Sequence, residues 1–228
     1  MTSDLQIRSF LKRLRLPVVA QNYARLAEEA AANNRTFQDY LFALLEGEVI
    51  QRDEHAQKLR LLRARFPVIK TLDNFDFSAI PAVNKALVLE LSRSSFIDRR
   101  ENVIFIGSYG TGKTHLATGL GVEACRQGIS TRFVTGCGLA NELLEANQGH
   151  TLRRMIHRYA RYGLLILDEL GYVPFSKEGA ELLFQVLAER HERGSVIITS
   201  NLGFADWTQV FGEPTLTAAL LDRLTHMA

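Results

Sequence analysis

The sequence predicts an α/β fold: a parallel sheet with helices on both faces, preceded by a small all-α region. Three observations carry the prediction. The apolar run Val103-Ile104-Phe105-Ile106 leads directly into a glycine-rich turn and then into a helical pattern. From there onward, strand-like apolar runs alternate with amphipathic stretches, the order expected of βα units rather than of hairpins. Residues 1–66, by contrast, show helical spacing alone.

Residues 1–66 therefore form the expected N-terminal helical domain. Within it, residues 5–16 are an apolar-basic stretch ending at Pro17, and residues 18–33 carry Ala, Leu and Glu at helical spacing, so two helices are expected. Thr36 precedes Phe37, Tyr40, Leu41, Leu44 and Leu45, whose i, i+3, i+4 recurrence predicts one buried face behind a capping residue. Residues 54–64 continue as a charged helix. Residues 66–78, with Asp, Asn and a proline but little periodicity, read as a connector before a helix over residues 83–92.

The second domain, residues 67–228, holds the alternation. Strands are expected over residues 103–107, 131–135, 164–168 and 196–200, with helices over 115–127, 140–147 and 180–193. Ligands of such sheets bind at the carboxyl ends of the strands. The chemically promising residues fall there.

Residues 107 to 114 read Gly107-Ser108-Tyr109-Gly110-Thr111-Gly112-Lys113-Thr114, the spacing G-x-x-x-x-G-K-[ST]. A strand that delivers such a turn onto a helix points several backbone N–H groups inward, and the positive end of the helix dipole adds to their attraction for polyphosphate. Lys113 is placed to reach the β- and γ-phosphates, and the Thr114 hydroxyl to coordinate Mg²⁺. Residues 107 to 114, with His115 after them, are the expected contacts to a nucleoside triphosphate.

The run Leu164-Leu165-Ile166-Leu167 ends in Asp168-Glu169. Carboxylates at the tip of a buried strand are costly without a cation or hydrogen-bond donors, and Mg²⁺ answers that need. Asp168 is expected to hold the metal through its water shell, and Glu169 to orient and polarise the water that attacks the γ-phosphate. Asn201, after the strand over 196–200, can both donate and accept beside that phosphate. Arg223 in Leu220-Leu221-Asp222-Arg223-Leu224 has two readings, a surface ion pair or a finger that reaches another subunit's nucleotide, and spacing leaves both open.

Composition narrows the class. At 46% hydrophobic and 23% charged over 228 residues, the chain can bury one sizeable core and a small second unit. No apolar stretch approaches the roughly 20 residues that span a bilayer, and no secretory leader is visible, so a cytoplasmic location without membrane contact is expected. Cys125 and Cys137 read as packing thiols, and the six histidines form no zinc spacing. The net charge of +2 is uneven: 12 basic against 8 acidic residues up to residue 70, and 15 against 17 beyond it. Such an excess attracts nucleic acid or is simply solvated.

Several segments together resemble the IstB-like ATPases, helper proteins of insertion-sequence transposition that are similar to the helicase loader DnaC and the initiator DnaA. They are residues 107–114, residues 164–172, Gly179-Ala180-Glu181-Leu182-Leu183-Phe184-Gln185-Val186, Ile197-Ile198-Thr199-Ser200-Asn201 and Leu220-Leu221-Asp222-Arg223-Leu224-Thr225-His226. The resemblance extends over nearly the whole chain. It implies an AAA+ ATPase with Lys113 and Thr114 as Walker A, Asp168 and Glu169 as Walker B, Asn201 as sensor 1 and Arg223 as arginine finger. It further implies ATP and Mg²⁺ as cofactors, side-by-side assembly of copies on duplex DNA, and recruitment or activation of a cognate transposase, with ATP acting as a switch. Relatives continue into a lid with a second sensor arginine, whereas this sequence stops at Met227-Ala228, so a core without that lid and with weakened turnover is expected.

For DNA contact the sequence offers Arg153, Arg154, His157, Arg158 and Arg161, with Tyr159 and Tyr162 among them. In a helix Arg154, Arg158 and Arg161 share a face and can neutralise neighbouring phosphates, or pair with acids as an ordinary solvated face. Lys12, Arg13 and Arg15 are a second, weaker candidate. Two other functions compete with the transposition helper: a DnaC-type helicase loader, and a non-catalytic nucleotide-gated scaffold.

Overall fold

The computed structural model describes residues 4–226; Met227 and Ala228 lie outside the described residues. The chain divides into two units, at Leu59/Arg60.

The first unit is helical. Helix α1 spans Asp4–Leu14, α2 spans Pro17–Ala32, and α3, Phe37–Ala64, runs on past the division. Pro17 opens α2 at a position where its missing N–H costs nothing, but Leu16 before it offers no capping oxygen. The cap comes from across the unit: the buried Glu48 carboxylate of α3 accepts from the backbone N–H groups of Val18, at 2.9 Å, and Val19, at 3.3 Å. Thr36 and Asp39 close α3 reciprocally. The Asp39 carboxylate accepts from the Thr36 hydroxyl at 2.6 Å and from Thr36 N–H at 3.1 Å, which hold that carboxyl below the usual range, and the Thr36 hydroxyl in turn accepts from Asp39 N–H at 3.1 Å.

The buried face expected of α3 needs correcting. Leu44 is buried, but Phe37 is 94% exposed, and Leu41 and Leu45 are exposed as well. The inner stripe runs instead through Tyr40, whose hydroxyl donates to the Tyr23 carbonyl, then Leu44, then Glu48. Apolar spacing allowed two adjacent stripes, and polar anchors to α2 selected one.

The second unit is an α/β sandwich. Strands β1 (Val103–Ile106), β2 (Thr131–Thr135), β3 (Leu164–Leu170) and β4 (Ser195–Ser200) form one parallel sheet in the order β1-β4-β3-β2. Helices α4 (Lys85–Leu91), α5 (Ser95–Asp98) and α6 (Lys113–Arg126) contribute to the core on one face. Helices α7 (Gly136–Gln148), α8 (Leu152–Ala160), α9 (Lys177–Arg190), α10 (Trp207–Phe211) and α11 (Pro214–Thr225) cover the other. This is the predicted class. Residues 66–78 are more than a connector: Leu72 and Phe75 are buried against α6, and short 3₁₀ turns at Leu72–Asn74 and Phe77–Ala79 fold the segment into the core.

Two buried polar groups organise the sheet's amino-terminal end. The Arg190 guanidinium, 1% exposed, donates to the carbonyls of Tyr159, Tyr162, Gly163 and Ser195, so it ties α8 and the starts of β3 and β4 to α9. Burial pushes its pKa down to about 10. Tyr159 is fully buried and donates to Glu142 at 2.8 Å. Among the described residues, no helix is long and apolar enough to cross a membrane.

Candidate nucleotide site

Parallel register brings the carboxyl ends of β1, β4 and β3 together. Ile106 stands opposite Ser200, and Leu167 opposite Ile198; Gly107 N–H then donates to the Ser200 carbonyl at 3.2 Å. The loop over 107–112 opens above these ends and feeds α6. Gly110 and Gly112 have φ of +76° and +75°, where a side chain is strained. At Gly112 a Cβ would also lie 2.5 Å from Phe75. The connector thus presses on the loop from behind, and only glycine fits between them.

A cleft of ≈ 560 Å³ lies at these strand ends, lined by Gly110, Lys113, Thr114, Glu169, Tyr172 and Asn201, among others. The Lys113 ammonium donates to the Gly107 and Ser108 carbonyls, each at 2.8 Å. Burial lowers its pKa, against the opposing pull of the Asp168 charge. Thr111 donates back to the Ser108 carbonyl at 2.8 Å and closes the turn. His115, placed beside the loop by sequence, lines the cleft, but its Nε2 lies 2.8 Å from the Thr71 carbonyl and its ring packs edge-on against Phe75.

Thr114 and Asp168 meet. The Thr114 hydroxyl lies 2.9 and 3.1 Å from the two carboxylate oxygens of Asp168, which is only 3% exposed. A buried carboxylate facing a hydroxyl at the foot of a phosphate-type loop is a donor set of hard oxygens, which fits Mg²⁺. Among the described residues no group of three or more His, Cys, Asp or Glu side chains forms a self-sufficient metal cage, so nucleotide oxygens and water would have to complete the shell.

Glu169 is exposed and sits at φ +55°, at the irregularity in the β3–β4 pairing between Leu167 and Leu170. That bulge turns consecutive carboxylates apart, Asp168 inward and Glu169 toward the cleft. Asn201 donates from Nδ2 to the Tyr109 hydroxyl at 2.8 Å. One residue of this constellation was not singled out by sequence: Thr199, buried, donates to Asp168 Oδ1 at 2.5 Å and accepts from Glu169 N–H at 2.9 Å. Only the strand register exposes it.

Arg223 is not brought to this cleft. It donates to the Ala219 carbonyl, lies 4.9 Å from the Phe184 ring centre, and shares a small recess with Arg100, Asn102 and Arg190 at the amino ends of the strands. Of the arginines proposed for DNA, Arg153, Arg154 and Arg161 are exposed, and Arg158 pairs with Glu142 at 3.2 Å. Tyr159, among them in sequence, is buried and offers no stacking surface.

Comparisons with known proteins bear on the family and the fold. The sequence model of the family described as IstB-like ATP binding protein matches residues 9–228. An ATP-binding protein named for insertion sequence IS5376, from Geobacillus stearothermophilus, is 39% identical over 221 residues, which is 97% of this chain and 88% of the relative. Its counterpart named for IS21, from Pseudomonas aeruginosa, is also 39% identical, over 97% of this chain and 83% of that one. Among solved structures, DnaI matches 70% of this chain and 88% of its own with a TM-score of 0.59 at 19% identity, a likeness of fold.

Proposed function

The chain belongs to the IstB-like ATP-binding protein family, and from that premise we propose that it binds and hydrolyses ATP in the cleft between residues 107–114 and the tips of β3 and β4. The observation that carries the proposal is the meeting of Thr114 and Asp168 at 2.9 Å beside the Lys113 ammonium. A hydroxyl, a buried carboxylate and a cation stand together where a triphosphate, its metal and its charge would need them.

The backbone N–H groups of the loop and the N-terminus of α6 bind the phosphates, and Lys113 exchanges its loop carbonyls for phosphate oxygens. Thr114 and Asp168 would hold Mg²⁺, which when bound neutralises phosphate charge. Glu169 accepts the proton of the attacking water, and Asn201 orients that water or the terminal phosphate. Arg223, remote from its own subunit's cleft, acts on a neighbouring copy. ATP then favours contact between copies, and hydrolysis loosens it.

The assembly works on duplex DNA, held by Arg153, Arg154 and Arg161 through phosphates, and it recruits or activates a cognate transposase. Two features support this part: the family is that of insertion-sequence ATP-binding proteins, and these arginines lie exposed on and just after one helix. Filter binding to duplex DNA with ATP, with ADP and with neither, across a salt series, tests the switch. Tighter binding with ATP is expected, and equal binding in all three would overturn it. A pull-down against the cognate transposase and a replicative helicase decides the partner, since retention of the helicase alone would favour a loader.

A further inference from the structure

We infer that Tyr109 is a positioning residue for the terminal phosphate, joining the phosphate loop to the two side chains that read and attack it. The inference rests on the nucleotide site proposed above. Tyr109 occupies a position in the loop whose spacing prescribes no residue type. Its side chain is two-thirds exposed, so core packing does not account for it.

What the ring does instead is bridge. Its hydroxyl accepts from Asn201 Nδ2 at 2.8 Å, which spends one of that amide's two hydrogens and fixes which way the amide points. Its ring and that of Tyr172 meet in a T, with ring centres 6.0 Å apart and planes at 88°. Tyr172 ends the tight turn that begins at Glu169: Tyr172 N–H donates to the Glu169 carbonyl at 3.4 Å, and both Glu169 and Gly171 have positive φ. Tyr109 thereby touches the tip of β4 through a hydrogen bond and the tip of β3 through a ring contact, from a loop that itself grips phosphate.

The chemistry follows from that arrangement. An exposed asparagine samples several rotamers, and an exposed turn with two left-handed residues is held by few contacts of its own. Tyr109 removes part of both freedoms before nucleotide arrives. It also gives the γ-phosphate a means of reporting on itself, because any shift of the loop moves the partner of Asn201. ADP lacks the group that Asn201 faces, so the effect of Tyr109 concerns discrimination between ATP and ADP more than affinity for nucleotide as such.

The test uses the full chain with Tyr109→Phe, Tyr109→Ala, Asn201→Ala and the double variant Tyr109→Phe/Asn201→Ala. Binding of a fluorescent ADP and of a non-hydrolysable ATP analogue is measured together with phosphate release. Tyr109→Phe, which keeps the ring and loses one hydrogen bond, is expected to lower the ATP-over-ADP preference and kcat by about fivefold while leaving ADP affinity within twofold. Tyr109→Ala loses the Tyr172 contact too and falls further. In the Asn201→Ala background, Tyr109→Phe is expected to add nothing.

Full additivity of the two changes, or an unchanged ATP-over-ADP ratio in Tyr109→Phe, overturns the inference even if the wild type binds and hydrolyses ATP. Wild type that binds neither nucleotide overturns the site itself. The binding ratio stands without turnover, so slow hydrolysis does not blunt the test, and melting curves of each variant identify any that fails to fold.

Discussion

Thr199 donates its hydroxyl to Asp168 across 2.5 Å, from one central strand to its neighbour, at the point where their pairing slips. The same oxygen accepts Glu169 N–H, so one buried β4 side chain holds both acids of β3 in opposite directions. Removing it leaves a buried carboxylate short of a donor and a bulge short of an anchor. Thr199→Val, which preserves shape, is expected to cost about 1–3 kcal/mol of stability in denaturant titrations. It is also expected to reduce phosphate release more than ADP binding, and Thr199→Ser should restore most of both. A Val variant with wild-type turnover would deny Thr199 any part in placing the acids.

Lys113 and Glu169 make opposite predictions at the same cleft. Lys113→Ala removes the cation and is expected to abolish binding of ATP and ADP alike. Glu169→Gln keeps shape and binding but loses the base, so phosphate release should fall by about 10²-fold or more while ATP affinity holds. Burial lowers the Lys113 pKa from the ordinary 10.5, so the cation is lost at lower pH than in an exposed lysine. Nucleotide affinity measured against pH should therefore be flat near neutrality and begin to fall on the alkaline side below 10.5. Unchanged phosphate release in Glu169→Gln would favour the scaffold reading.

The distribution of what was legible in the sequence has a physical cause. The glycine-rich turn over 107–112, the acids Asp168-Glu169 and the four strands rest on contiguous residues whose period or spacing is local, and the structure has the turn and both acids at the ends of those strands. Asn201 could be named because it directly follows an apolar run. Thr199, Arg190 and Glu48 could not be, because each has a partner 31, 28 and 30 residues away, respectively, that it meets only when strands or helices align. The inner face of α3 departs from its apolar spacing for a related reason: Phe37, Leu41 and Leu45 have the spacing of a buried stripe, and only the bonds of Tyr40 and Glu48 to α2 decide against it. Tyr159 reads in sequence as part of a basic-aromatic surface because nothing in its neighbourhood announces Glu142 across on α7.

Arg190 carries a prediction about the scaffold. Among the described residues its buried charge has no carboxylate hydrogen-bonded to it, and four main-chain carbonyls take that place. Arg190→Met fills the same space but leaves those carbonyls without their donors, and a loss on the order of 3–5 kcal/mol is expected, enough to threaten folding near 37 °C. Lysine, one compact donor group in place of a planar fork, should recover only part of it. Thermal melts of the two variants check this, and a Met variant as stable as the wild type would mean that the starts of β3 and β4 are held by something else.

The last prediction concerns Arg223, whose position is the strongest argument that it acts on another copy. It lies with Arg100 and Asn102 at the amino ends of the strands, whereas Lys113, Thr114 and Asp168 sit at the carboxyl ends. β1 alone, four residues of extended chain, separates Asn102 from the loop at Gly107 by roughly 13 Å or more. A guanidinium tied to the Ala219 carbonyl at one end cannot also touch a phosphate at the other. Arg223→Ala should therefore bind ATP normally and hydrolyse it poorly, by about 10³-fold if it serves as a finger. Lys113→Ala should bind none. Mixing the two inactive variants then separates the possibilities: an intact cleft on the Arg223→Ala copy can borrow the arginine of the Lys113→Ala copy, so phosphate release should reappear and rise with total protein concentration. If the mixture stays as inactive as its parts while both variants still associate, Arg223 is a surface residue of α11 packed on Phe184, and transfer of the signal between copies has to be sought elsewhere.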